Sequence, residues 1–235
     1  MSEEKTPGTD APRPGRRTPL VIAAVAIAAA IGLTAAVGLG GNDDKASGPV
    51  AEVSGGTDSA KAATVLDRPF TKPDLVLTDT KGEKYDLRER TKGKPTLIYF
   101  GYTHCPDVCP MTMSNIAIAK KQLPKADQDK LQVVFVTTDP QRDTSAELAK
   151  WLPAAGDPSF TGLTGDFSAI QAGARQIGIG IDPPKVENGN VVSMHGAQVI
   201  AFSPTTDQGY VLYGEDASID DYAKDLPKII KGENP

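Results

Sequence analysis

The sequence predicts an α/β domain, a mixed sheet with helices on both faces, held behind an N-terminal transmembrane helix. Three observations predict it. The run "LVIAAVAIAAAIGLTAAVGL" at residues 20–39 carries no charge. Two later stretches, "PTLIYFGY" (95–102) and "LQVVFVTTDP" (131–140), are continuously apolar before they reach their ends, the pattern of strands buried on both faces. Between and beyond them lie segments whose apolar residues recur at helical spacing.

Taken in order, residues 1–19 are polar and Pro-rich and end in Arg13, Arg16 and Arg17, which marks a cytoplasmic tail. The twenty residues of 20–39 make about 30 Å of helix, enough to cross a hydrocarbon core. A cleaved signal peptide is the alternative, but its apolar region is shorter, about 7–15 residues. No cysteine directly follows the run, so a lipid anchor is excluded, and "RRTPL" is a weak match to a twin-arginine signal. An uncleaved anchor in the cell membrane, with the remainder on the extracytoplasmic side, is the expectation. Residues 40–68, rich in Gly, Ser, Ala, Asp and Lys, read as a flexible linker. The folded domain is expected over 69–235.

Within it, "DLVLTD" (74–79) and "KYDLRE" (84–89) flank a "TKGE" turn and suggest a hairpin. "MTMSNIAIAKKQL" has helical spacing and stops before Pro124, "DTSAELAKWL" (143–152) reads as a capped helix, and "SFTGLTG" (159–165) as a third strand. A helix follows from Asp166 to about Ile177, then an antiparallel pair "AQVIAFSP" (197–204) and "GYVLYGE" (209–215), then a closing helix over 218–231. Strand–helix–strand–helix followed by a hairpin and a helix is the thioredoxin-like order. The net charge of −5 with no basic stripe argues against nucleic acid as a partner.

Both cysteines of the chain sit in "YFGYTHCPDVCP" (99–110), four positions apart. Sites in open α/β sheets form beyond the carboxyl ends of the parallel strands, which is where "PTLIYFGY" delivers Cys105. Pro110 fits the first helical position and disfavours helical backbone at Cys109, so both sulfurs are expected on a loop at a helix N-terminus, where thiolate is favoured. As a structural staple the pair would contribute only ~2 kcal/mol, since it closes a loop of about five residues. The spacing is one residue longer than that of rapid dithiol exchange. Two thiolates with a nitrogen make a soft pocket that selects Cu(I), whereas structural zinc wants four protein ligands. The nitrogen comes from His104 or His195. His104 neighbours Cys105 and its side chain should diverge. His195 precedes "AQVIAF", whose start reaches the same rim if that strand runs antiparallel to "PTLIYF". The segment "IDPPKVENGNVVSM" (181–194) before it reads as a mobile flap.

"GYTHCPDVCP", "VTTDPQRDT" and a histidine before "AQVIAFSP" together resemble the Sco/SenC family of copper chaperones over about residues 70–232. The resemblance implies a thioredoxin-like, commonly membrane-anchored domain in which Cys105, Cys109 and His195 bind copper. It implies a role in assembling the dinuclear copper (CuA) centre in subunit II of cytochrome c oxidase, with an upstream copper donor. One departure stands out: Met194 occupies the position where the family usually places an Asp.

Asp139, at the end of the second buried strand, is a candidate for partner docking or site tuning, against the plainer reading of a strand end and turn. Asp107 is expected to cap a helix, and Met111 and Met113 to fill core or rim. Three functions compete. A metallochaperone needs both cysteines reduced, because their disulfide has no thiolate to offer. A thiol–disulfide oxidoreductase would instead reduce the cysteines of the oxidase copper site or another client. A peroxidase-like sensor is the third, since "GYTHCP" faintly resembles the Thr–Cys element of peroxiredoxins, one residue short. His195 separates them: copper binding needs it and dithiol exchange does not.

Overall fold

The computed structural model describes residues 62–187, 190–196 and 198–235. The expected tail, the anchor at 20–39 and most of the linker lie outside the described residues, among which no helix is long and apolar enough to cross a membrane. The linker boundary is corrected at its end. Residues 63–68 are not tether but the start of a strand, β1 (Ala63–Thr71), paired antiparallel with the penultimate element of the chain.

After β1 comes the expected hairpin, β2 (Val76–Asp79) and β3 (Lys84–Asp86). The "KYDLRE" strand stops early because the Asp86 carboxylate accepts the Glu89 N–H and starts a short helix, α1 (Leu87–Thr91). Next are β4 (Thr96–Gly101), α2 (Val108–Lys121), α3 (Lys125–Lys130) and β5 (Gln132–Thr137). Then follow α4 (Ser145–Ala155), capped by Thr144, β6 (Thr161–Thr164), and α5 (Phe167–Gln176), capped by Asp166. A small separate hairpin, β7 (Lys185–Glu187) and β8 (Asn190–Val192), lies within the stretch read as a mobile flap. The chain closes with β9 (Val199–Phe202), β10 (Gln208–Tyr213) and α6 (Ile219–Ile229), which begins with a Ser218–Asp221 capping box.

The main sheet has eight strands in the order β1-β10-β9-β4-β5-β6-β2-β3. β4, β5 and β6 are parallel; β9 runs antiparallel to β4, with Tyr99 opposite Val199. Alternation along the central strands feeds two cores. Leu97, Tyr99, Val133, Phe135, Val199 and Ala201 face the core that holds α2, α4 and α6. Ile98, Phe100, Val134, Val136, Ile200 and Phe202 face the other, shared with α5. Period-two side chains buried on both sides are what make these strands read as unbroken apolar runs. One consequence matters for function: the carboxyl ends of β4 and β5 and the start of β9 share one rim.

Candidate metal centre

Residues 102–107, between β4 and α2, form a tight loop in which the Cys105 N–H donates to the Tyr102 carbonyl at 3.2 Å. The Asp107 carboxylate then accepts the Val108 N–H at 2.7 Å and caps α2, as expected. Cys109 was expected outside the helix and is in fact its second residue. Pro110 is the third residue, still within the first turn, where backbone N–H groups have no intrahelical partner, so proline forfeits no bond there. Burial of Cys109 in the α2 core outweighs the local preference against helix before proline.

Both thiols are free, and both are buried, Cys105 at 6% and Cys109 at 0% exposure. The Cys109 N–H, at the positive end of α2, points at Cys105 Sγ from 3.4 Å. The Tyr99 hydroxyl donates to Cys109 Sγ at 3.4 Å. Room for that sulfur is made by Gly101: a Cβ there would fall 2.9 Å from Cys109 Sγ. The expected thiolate bias fails at Cys109. Burial pushes its thiol up to about 12, further than the hydrogen bonds from Tyr99 and the Tyr102 backbone pull it down. Tyr102 is also pushed up to about 12, by burial and by the neighbouring Cys105 and Cys109.

His195 stands on the same rim. Its neighbour Gly196 donates its N–H to the Phe100 carbonyl at 2.8 Å, one residue from Gly101. The Nδ1 atom of His195 is buried and has no hydrogen-bond partner among the described residues. His104 is placed otherwise: its side chain is 53% exposed, with Nδ1 3.0 Å from Thr103 Oγ1 and 3.6 Å from the Asp143 carboxylate. Among the described residues no three His, Cys, Asp or Glu side chains already converge tightly enough to enclose a metal ion. The structure brings the two cysteines together and places His195 on the same rim, without gathering the three into one cluster.

Comparison with known proteins decides the lineage. A family model described as SCO1/SenC matches residues 63–231. The chain belongs to the SCO1/SenC family. A putative copper-binding protein of Stutzerimonas stutzeri is 30% identical over 172 residues, 72% of this chain and 81% of that protein. The mitochondrial protein SCO2 of Saccharomyces cerevisiae is 31% identical over 126 residues, 54% of this chain and only 40% of its own length. Among solved structures, copper-bound ScoI of Bradyrhizobium japonicum aligns with a TM-score of 0.57 at 31% identity, over 69% of this chain and 98% of that one. The thioredoxin-like Sco fold is thereby shown for this chain.

In this SCO1/SenC chain the remaining residues weighed from sequence fall into place. Met113 is core at 0% exposure, while Met111 is rim-exposed at 49%. Met194 is exposed at 47%, whereas Nδ1 of its neighbour His195 is buried. Asp139 is 1% exposed, so its carboxylate is no docking surface; it pairs with Arg142 and accepts the Ser193 hydroxyl at 2.8 Å. Sequence reasoning missed Asp143. It is fully buried and accepts from the Thr103 N–H (2.9 Å), the Thr103 hydroxyl (2.6 Å) and the Thr137 hydroxyl (2.6 Å), fixing the start of the cysteine loop. Its only sequence signal was membership of the "DPQRDT" element. Tyr99 gave no signal beyond an apolar strand position, and Ser193 none at all.

Proposed function

We propose that this chain is a copper metallochaperone, anchored by residues 20–39, that takes up one copper ion through Cys105, Cys109 and His195 outside the membrane. Its client is the dinuclear copper centre of cytochrome c oxidase subunit II, and a separate donor supplies the ion. The observation that carries this reading is the pairing of two buried free thiols with a buried, unpartnered His195 Nδ1 on one rim. A bare buried nitrogen costs on the order of 1–3 kcal/mol unless something satisfies it. A soft cation would do so, and thiolates with imidazole suit copper. Similarity to a copper-bound ScoI at 31% identity supports the same assignment.

The residues divide the work. Cys109 holds its proton in the metal-free state, so uptake displaces it, and the Tyr99 hydroxyl is placed to donate to the resulting thiolate. The α2 N-terminus faces Cys105 and favours negative charge on its sulfur once metal is bound. His195, on the same rim, would supply the third ligand. Oxidation of the pair, with two electrons and two protons passed to an oxidant, leaves a disulfide and switches binding off.

The oxidoreductase reading draws support from the N–H of Cys109 at Cys105 Sγ, a geometry suited to dithiol exchange. It is weakened by access, since neither sulfur exceeds 6% exposure and a protein disulfide must reach one of them. Titrating the reduced, full-length chain with Cu(I) against a competing chelator separates the two. Tight one-to-one binding that falls steeply in Cys105→Ala, Cys109→Ala and His195→Ala, and barely in His104→Ala, is the expected result. Equal losses in the two histidine variants overturn the ligand set. Weak binding throughout, with rapid reduction of a model disulfide, makes the protein an oxidoreductase.

A further inference from the structure

The cysteine loop and the histidine segment are 90 residues apart in sequence, counted from Cys105 to His195, yet a copper site needs them in register. We infer that a buried chain of hydrogen bonds sets that register, and that Ser193 is the positioning residue through which His195 is held against the two sulfurs. The inference rests on the copper reading above. Its links are continuous. The Ser193 hydroxyl donates to Asp139 Oδ2 at 2.8 Å. The Asp139 N–H donates to Thr137 Oγ1 at 2.9 Å, and the Thr137 hydroxyl donates to Asp143 Oδ2 at 2.6 Å. Asp143 in turn accepts the Thr103 N–H and hydroxyl. Thr103 lies two residues before Cys105, and Ser193 two residues before His195.

Every interior member is buried: Ser193 at 4%, Asp139 at 1%, Thr137 and Asp143 at 0%. Hydrogen bonds there do not compete with water, and an unmade one is costly, so the chain specifies one arrangement. Arg142 completes the histidine end. It pairs with Asp139 and places Nη2 3.4 Å from Ser193 Oγ, so that the guanidinium touches both ends of the Ser193–Asp139 hydrogen bond and holds the carboxylate in place. The tether is needed because the hairpin beside it offers little packing: Val186, Val191 and Val192 are 72%, 40% and 44% exposed. Among the described residues of 182–195, only Ser193 makes side-chain hydrogen bonds to the rest of the domain. With Gly196 bound to the Phe100 carbonyl, His195 is bracketed by one fixed residue on each side within a span of four.

Two measurements on the full-length reduced chain test this. In Cu(I) competition titrations, Ser193→Ala should lower affinity ~10–100-fold, the usual effect of removing a group that orients a ligand. Ser193→Thr, which keeps the hydroxyl, should restore most of it. Added to His195→Ala, the Ser193→Ala change should cost nothing more, because it acts through that histidine. Parental affinity in Ser193→Ala, or an undiminished further loss in the double variant, overturns the inference. The second measurement needs no metal. Hydrogen exchange at the Gly196 amide should speed up in Ser193→Ala and not in Ser193→Thr. If it does while the parent binds no copper, the tether stands and only the copper reading falls; unchanged exchange in Ser193→Ala sinks the tether itself.

Discussion

At the scale of single residues, the site is decided by what is left out as much as by what is present. Gly101 ends β4 where the Cys109 sulfur, the Tyr99 ring and the Phe135 ring meet, and a Cβ there would approach them to 2.9, 2.7 and 3.0 Å. Two of those neighbours are rings locked in the core, so the sulfur is the group that must yield. Gly101→Ala is therefore expected to cost ~1–3 kcal/mol, the range for overpacking a tight core, and to weaken copper binding by displacing Cys109. Urea midpoints and Cu(I) titration of the same samples check both effects. Gly180→Ala is the control, since a Cβ there meets nothing within 4 Å, and it should move neither measurement. The same residue scale explains why sequence reading misplaced Cys109. The rule against helix before proline is local, whereas the Asp107 cap and burial in the core act together to draw Cys109 into α2. Ser193 was illegible for a related reason: its partner lies 54 residues away and nothing nearby announces it.

At the scale of elements, legibility followed burial. β4, β5 and β9 pass through both cores, and their unbroken apolar runs identified them. β1 is an edge strand with much of its length exposed, a register shift between Val65 and Phe70, and Asp67, Arg68 and Pro69 inside that shift. Its composition is that of a tether, so the linker was drawn through it. What fastens this edge is an ion pair just past β1. Lys72, 3% exposed, donates to the Thr91 carbonyl at 2.9 Å and to Asp207 Oδ1 at 2.8 Å, and Asp207 also accepts the Gly93 N–H. Asp207 sits at φ +56 in the β9–β10 turn, a conformation that Asn also tolerates. Asp207→Asn thus removes the charge while sparing the backbone, and should cost on the order of 2 kcal/mol. That is less than the loss from breaking a fully buried pair, because Asp207 is 37% exposed. Burial opposes ionisation of Asp207, yet the Lys72 and Gly93 hydrogen bonds and the Lys72 charge hold its carboxyl below the ordinary value. The ionised form is the one the fold prefers. Its stabilisation is present above the ordinary carboxylate pKa of about 4 and is lost as pH falls through the lower folded value. The gap in urea midpoint between parent and Asp207→Asn should be wide at pH 7 and close toward pH 3. A gap independent of pH would show that packing, not charge, holds the turn.

At the scale of the whole molecule, the proposed copper site would couple the redox state of the dithiol to metal binding with little consequence for the fold itself. A bridge closing about five residues contributes only ~2 kcal/mol in the chain-entropy model, and the two cores on either side of the sheet are complete without it. Copper that binds the native state raises stability by mass action, about 2.7 kcal/mol when free ion stands at 100 times its dissociation constant, less whatever the unfolded thiols capture. For a domain of this size that corresponds to a rise in Tm of ~5–10 °C. The reduced full-length chain should show this rise on adding Cu(I). The oxidised chain should show none, because forming the Cys105–Cys109 disulfide removes both thiolates while His195 alone binds weakly. Returning the oxidised chain to dithiothreitol before adding copper should restore the shift. The His195→Ala variant should fall between the two, with both sulfurs present and the third donor missing. Calorimetry on these four samples orders the ligands without reference to any client protein. Equal shifts in the reduced and oxidised chains would mean that copper stabilises the protein at some other position, and the dithiol would then lose its claim to be the site.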